Sequence, residues 1–264
     1  MSTPGRAHLA PSLIPLPSLV PEINNAFYDD LGETWFEGDD HPIALLRVES
    51  RVKIDYVLDV LRQRQIGSGA RILDVACGAG LVALPLAEAG FQVEGVDLAE
   101  GAIAEAIRRT PKASGAAFRV GDAYALDAED NSYDAVLLLD MLEHVERPEA
   151  TIAEAARVVR PGGVVLFHTF NRTPLAWALA IHGFKVVTPG GPEHIHVYRL
   201  FIPPADLRAM HDRAGLEVQE IRGVHPVPDR AFWRSVARRR VDPAFSFKVG
   251  GPPWIGYIGH AVKR

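Results

Sequence analysis

Cysteine is nearly missing from this chain of 264 residues: Cys77 stands alone, so no internal disulfide can form, which suits a reducing cytoplasm. Long apolar runs are missing too, and nothing reaches the length needed to span a bilayer. The one aliphatic stretch near the start, residues 10–21, is interrupted by four prolines and reads as an extended leader (1–21) rather than a signal core. An excess of positive charge is also lacking. The net charge of -5 argues against a general nucleic-acid binder. No internal repeat is found. What remains, 48% hydrophobic and 23% charged residues, is the composition of an ordinary globular protein, with one domain expected over 22–264.

Helical patterning begins near Glu22 with Phe27, Tyr28, Leu31, Trp35 and Phe36, and a second amphipathic segment runs over about 43–64. Together they make an N-terminal helical cap, 22–66. From Arg71 strands and helices alternate: strands at about 71–76, 91–96, 117–120, 133–139 and 164–167, with helices at about 80–89, 99–109 and 148–159. Repeated βα units imply a doubly wound, mostly parallel sheet with helices on both faces. The rhythm breaks over 170–202, which reads as a lid insertion containing a short apolar helix from Pro174 to His182. It returns over 203–264 with a helix at about 203–214 and strands at about 216–224 and 254–262, an antiparallel pair completing seven strands at the sheet edge. Residues 226–250 read as an irregular basic segment.

The segment from Arg71 to Gly80 is a strand running into a glycine turn, with Asp74 ahead of Gly78 and Gly80. The strand that follows ends at Asp97, placed to grip the two hydroxyls of a ribose, with Leu98 next to it. A carboxylate at the turn meets an amine-bearing ligand well and a pyrophosphate badly. The pair therefore points to S-adenosylmethionine. A dinucleotide remains the rival, because Gly78-x-Gly80-x-x-Ala83 also fits that fingerprint and would make the protein a nicotinamide-dependent oxidoreductase. Ligands of open parallel sheets sit beyond the carboxyl ends of the strands, which adds Asp122 and Ala123, and Asp140 and Met141, as cofactor contacts.

Asp74-x-Ala76-x-Gly78-x-Gly80, Asp97, Gly121-Asp122-Ala123 and Arg160-Pro-Gly-Gly163 together resemble the successive motifs of class I S-adenosylmethionine-dependent methyltransferases, with Ala76 where glycine is usual. Leu139-Asp-Met-Leu-Glu-His-Val145 is similar to the signature of the O-methyltransferases of ubiquinone biosynthesis, as are Phe170-Asn-Arg172, Trp177, His196 and Phe201-Ile202-x-Pro204. That likeness covers the cofactor core, 71–169, and more loosely the cap, where it implies that Arg51 reaches the cofactor carboxylate. It implies a small hydrophobic aromatic acceptor, with His196 and Trp177 beside it, and a divalent metal, Mg²⁺.

Methyl transfer from a sulfonium is an in-line displacement, so alignment carries much of the catalysis. A phenolic acceptor must also lose its proton. If the segment is helical, Asp140, Glu143 and His144 share a face at i, i+3 and i+4. Two roles stay open: His144, aided by Glu143, as general base, or the three as metal ligands, where an imidazole favours Zn²⁺ or Mn²⁺ over Mg²⁺. An acceptor carbon or nitrogen of a secondary metabolite is the alternative substrate. The apolar lid, with Phe232-Trp233 followed by Arg234, Arg238, Arg239 and Arg240, is compatible with peripheral membrane contact, and equally with a lid packed on the sheet beside a solvated basic loop. Nothing in the sequence sets the oligomeric state.

Overall fold

A computed structural model describes residues 25–189, 191 and 195–264; the leader expected at 1–21 and His194 lie outside them. In place of an N-terminal aromatic helix, two 3-10 turns form, Asn25–Tyr28 and Gly32–Trp35. Gly32, with φ of 46°, opens the second turn, which drops Trp35 into the interior. Helix α1 (Pro42–Gln63) then starts with proline at its first position, and His41 Nδ1 accepts from the Ile43 amide at 3.3 Å.

The alternating core consists of β1 (Arg71–Val75), α2 (Ala83–Glu88), β2 (Gln92–Asp97), α3 (Glu100–Arg109), β3 (Ala116–Val120), β4 (Tyr133–Leu139), α4 (Pro148–Val158) and β5 (Val159–Phe170). The lid follows as α5 (Pro174–Ala176), a π-helical stretch Trp177–Gly183 and α6 (Phe184–Val187). Next come α7 (Pro204–Arg213), β6 (Leu216–Pro226), α8 (Arg230–Arg238), β7 (Phe247–Val249) and β8 (Gly256–Lys263).

Eight strands rather than seven make one sheet, in the order β3-β2-β1-β4-β5-β8-β6-β7. The first five are parallel to one another, and β8 runs antiparallel between β5 and β6. The edge itself is antiparallel, formed by the three residues of β7 against β6. Both β7 and α8 arise from the 226–250 segment that reads as irregular. Asp229 caps α8 by accepting from the amides of Ala231 (2.9 Å) and Phe232 (3.0 Å), while Phe232 and Val236 pack with buried Val241 and Phe245.

Side chains alternate across the central strands. Leu73, Val136, Leu138, Val165 and Phe167 face α4 and α7, burying Ile152, Ala155 and Leu207. Ile72, Leu137, Val164 and Leu166 face α1 and α2, burying Val57, Val60, Leu61 and Leu86. Fully burying each such aliphatic side chain stabilises the fold by roughly 1.5–3 kcal/mol. The C-terminal half of α1 thus belongs to the core, and its N-terminal half projects past the carboxyl ends of β1 and β4. Those strands diverge to β2 on one side and β5 on the other, so this is where the strand order switches and where a ligand crevice opens.

Candidate active site

A cavity of about 290 Å³ lies at that switch point. Asp74 at the end of β1, the turn Ala76-Cys77-Gly78, Asp97 and Leu98 after β2, Gly121 and Ala123 after β3, and Asp140 and Met141 after β4 all line it. Two residues of the turn adopt left-handed backbone angles, Ala76 with φ of 59° and Gly78 with φ of 53°. Gly78 has a second reason to lack a side chain. A Cβ there would meet the Trp35 ring at 2.6 Å, so the indole lies directly on the turn.

Asp97 holds that turn in place: its Oδ2 accepts from the Gly78 amide at 2.8 Å and its Oδ1 from the Ala99 amide at 2.9 Å. Asp74 is 3% exposed, and burial, followed by the charges of Asp97 and Asp140, pushes its carboxyl up to about 8. A buried carboxyl facing a cavity is matched by a cationic group, which would return it to the ionised form.

Three expected cofactor contacts are placed otherwise. Gly80 lies outside the lining; its φ is 83°, and a Cβ would strike Phe118 at 2.9 Å, so it serves the turn and the packing beneath it. Asp122 also lies outside the lining, and its Oδ1 accepts from the Tyr124 amide at 2.8 Å as a turn cap, leaving Gly121 and Ala123 at the cavity. Arg51 is exposed on α1 and does not line the cavity either. One turn earlier Arg47 donates to the carbonyls of Thr34 and Glu37 and fastens the second 3-10 turn to the helix.

A second cavity, about 370 Å³, adjoins the first, and the two share Tyr28, Leu46, Asp140 and His144. Its walls are mainly apolar: Phe27, Ile43, Phe170, Phe184, Val187 and Phe245 are among them. The polar groups gather at the shared end. Glu143, on the 3-10 turn Leu142–His144, is 1% exposed; its Oε2 accepts from Thr169 Oγ1 at 2.7 Å, and its Oε1 has no hydrogen-bond partner among the described residues. Burial and then the Asp140 charge raise its carboxyl to about 7. His144 moves the other way, to about 3, because burial and the neighbouring His196 disfavour its charged form. It is therefore neutral at physiological pH.

His196 lines this second cavity, its ring centroid 5.3 Å from that of His144. Its Nδ1 donates to the Ala180 carbonyl at 3.0 Å, leaving Nε2 as an acceptor. Trp177 does not reach the cavity: it is 48% exposed and packs edge-on against His182. The π-helical stretch turns it outward, and Leu179 and Ala180 line the wall in its stead.

The trio Asp140, Glu143 and His144 does not assemble as one donor set. Asp140 stands outside the 3-10 turn, with φ of 57°, and its carboxylate is taken by Lys53 Nζ (2.5 Å to Oδ1, 2.6 Å to Oδ2) and by His168 Nδ1 (2.6 Å). Instead, Glu143, His144 and His196 each offer a donor atom within 4.8 Å of the others. Lys53 itself is a residue that sequence reasoning missed, although its spacing from Tyr56, Val57 and Val60 sets it on the buried stripe of α1.

Residues 73–167 match the model of a methyltransferase domain. The ubiquinone biosynthesis O-methyltransferase of Xanthomonas axonopodis pv. citri is 35% identical over 236 residues, covering 88% of this chain and 90% of that protein. Its counterpart in Xanthomonas campestris pv. campestris is 37% identical over 235 residues, with the same coverage. Among solved structures, magnesium protoporphyrin IX methyltransferase from Synechocystis PCC 6803 with bound SAH superposes with a TM-score of 0.62 at 19% identity, covering 91% of this chain and 96% of that one. A possible histamine N-methyltransferase from Thermotoga maritima gives 0.61 at 19% identity, over 90% and 98%. These last two share the fold. A carboxylate-lined cavity over a glycine turn, at the switch point of a methyltransferase sheet, fits S-adenosylmethionine, and the chain belongs to the family of S-adenosylmethionine-dependent O-methyltransferases that includes the ubiquinone biosynthesis enzymes.

Proposed function

We propose that this enzyme methylates a phenolic hydroxyl on a hydrophobic aromatic of the ubiquinone-precursor type. The observation that carries the reading is the second cavity. It is apolar along its length, polar only where it meets the cofactor cavity, and large enough for an aromatic ring with an alkyl extension. The named relatives support the same acceptor class.

S-adenosylmethionine supplies an activated methyl group on a positively charged sulfur. The chain's own residues do the rest. Trp35 and the Gly78 turn hold the nucleoside end, and Asp74 receives the amino group. Apolar walls exclude water from the acceptor ring and aim its hydroxyl at the shared wall. Glu143, with a free Oε1 and a carboxyl near 7, takes the phenolic proton, for a general base works best when its pKa lies near the working pH. Neutral His144 donates its ring N–H to the same oxygen and orients it. This reassigns the base, because burial makes His144 too weakly basic for the task.

In the alternative arrangement a divalent ion would be held by Glu143, His144 and His196 and, in place of Glu143 as base, would lower the acceptor's pKa electrostatically. One carboxylate with two imidazoles suits Zn²⁺ or Mn²⁺ better than Mg²⁺. Incubation with methyl-labelled donor and a panel of alkylated phenols, catechols, amines and carbon acceptors, with and without chelator, tests the reading. Label on phenolic oxygen supports it; label only on nitrogen or carbon refutes it.

Peripheral contact with a lipid surface belongs to the same proposal. Among the described residues no helix is long and apolar enough to cross a membrane. Exposed Leu175, Trp177, Val186 and Trp233 nevertheless cluster on the lid and α8, and Val186 and Trp233 also line the acceptor cavity. The basic patch is smaller than its sequence implies, since Arg234 is paired with Asp242 (2.7 Å) and Arg240 with Asp39 (3.2 Å).

A further inference from the structure

The Lys53 side chain is fully buried behind Asp140, which lines both cavities. Its ammonium has three hydrogen-bond acceptors for its three protons: Glu49 Oε2 at 2.7 Å and the two oxygens of Asp140. Asp140 Oδ1 also accepts from His168 Nδ1, whose other nitrogen lies 3.8 Å from Glu49 Oε1. Two carboxylates thus share one buried ammonium, leaving an excess negative charge. Glu49 faces the acceptor cavity, and Asp140 faces both. The left-handed backbone at Asp140, uncommon outside glycine, turns its side chain toward Lys53 directly after β4. Without a partner, a carboxylate in such a place takes up a proton rather than stay charged.

During transfer the S–CH₃ bond breaks and the sulfur keeps the bonding pair, so its positive charge disappears. The acceptor oxygen supplies the pair for the new O–CH₃ bond, and its proton goes to Glu143. Donor and product therefore differ by one positive charge, located where the methyl crosses from one cavity to the other. Asp140 is the carboxylate common to both walls.

We propose that Lys53 is a positioning residue that keeps Asp140 charged and aimed at this junction, and that Asp140 gives the cofactor cavity its preference for the sulfonium donor over the uncharged thioether product. Lys53 touches neither ligand; it acts through Asp140. The electrostatic gain of a positive sulfur near this carboxylate is lost once the methyl has left, which promotes product release. The inference rests on the cofactor assignment, not on the identity of the acceptor.

The test is binding, measured by titration calorimetry with S-adenosylmethionine and S-adenosylhomocysteine separately. In Asp140→Asn the ratio of product to donor dissociation constants should fall about tenfold, the scale of one partly screened charge interaction. Lys53→Met should lower it equally, and Lys53→Met/Asp140→Asn no further, because both changes remove the same charge. Lys53→Arg should retain the wild-type ratio. Should Lys53→Met fail to fold, the double variant, which removes both members of the ion pair, and Lys53→Arg carry the comparison. An unchanged ratio in Asp140→Asn, an additive fall in the double variant, or a Lys53→Arg ratio equal to that of Asp140→Asn would overturn the proposal. Failure of the unmodified protein to bind either ligand would instead strike at the cofactor assignment.

Discussion

Binding of the cofactor should expel a proton from Asp74. In the free protein this carboxyl is held up to about 8, by burial first and by Asp97 and Asp140 next. About 0.9 of the molecules therefore carry the proton at pH 7, and about 0.1 at pH 9. A ligand ammonium placed against the carboxyl favours its ionised form. S-adenosylhomocysteine, which keeps the amino group, should thus release close to one proton on binding at pH 7 and show no net release at pH 9, where Asp74 is already ionised and the ligand's own amine takes up a proton to bind as the ammonium. Calorimetric titrations in phosphate and in Tris, whose ionisation enthalpies differ widely, read this directly as a buffer-dependent binding enthalpy. Asp74→Asn should remove most of that dependence and weaken binding by roughly 1–3 kcal/mol through the lost charged hydrogen bond. Equal enthalpies in the two buffers at pH 7, or an unaltered buffer effect in Asp74→Asn, would refute the reasoning. The sign also bears on the free protein. A carboxyl raised on folding stabilises the fold below its unfolded value and ceases to do so as pH climbs through about 8, so Asp74→Asn should make the free protein more heat-stable at pH 9.

Further outcomes are expected at other residues. Glu143→Gln should lower kcat by roughly 10²–10⁴-fold and abolish the rise in rate as pH passes through about 7, while leaving S-adenosylhomocysteine affinity within threefold; pH–rate profiles and calorimetry check both. Gly78→Val should all but eliminate cofactor binding, since its side chain would collide with Trp35 and a β-branched residue resists φ of 53°. Trp177→Ala should leave KM for a phenolic acceptor nearly unchanged, whereas His196→Ala should raise it, which steady-state kinetics can distinguish. Flotation with anionic liposomes at low salt should carry the protein upward, and Trp233→Ser should reduce that fraction several-fold; no flotation at low salt would end the lipid proposal.

Much of the cofactor half of the site is legible in the residues because it is built locally. A strand, a two-glycine turn and an acidic strand end, Asp74 through Gly80 and Asp97, are contiguous features of βα units, and continuous apolar runs buried on both faces mark β4 and β5 plainly. What stayed hidden depends on distant partners. Lys53 looks like one more cation on a long helix until Asp140, which follows β4, is brought to it. The reading of 226–250 as irregular failed because α8 has a strongly amphipathic face whose apolar partners, Val241 and Phe245, come later in the chain. Arg51 and Arg47 occupy neighbouring turns of α1, and motif spacing alone did not tell which lies toward the cap. Trp177 was misplaced for a related reason: a π-helical stretch rotates side chains relative to an α-helix of the same sequence.

The interior position of β8 sets an order of events during synthesis. Residues 256–263 slot between β5 and β6, so until the ribosome has delivered them β5 presents an open edge and the β6–β7 ribbon has no sheet to join. Val224 on β6, Phe247 on β7 and Ile255, which leads into β8, all border the second cavity. A nascent chain halted before β8 would therefore carry a nearly complete cofactor turn but an unfinished second cavity.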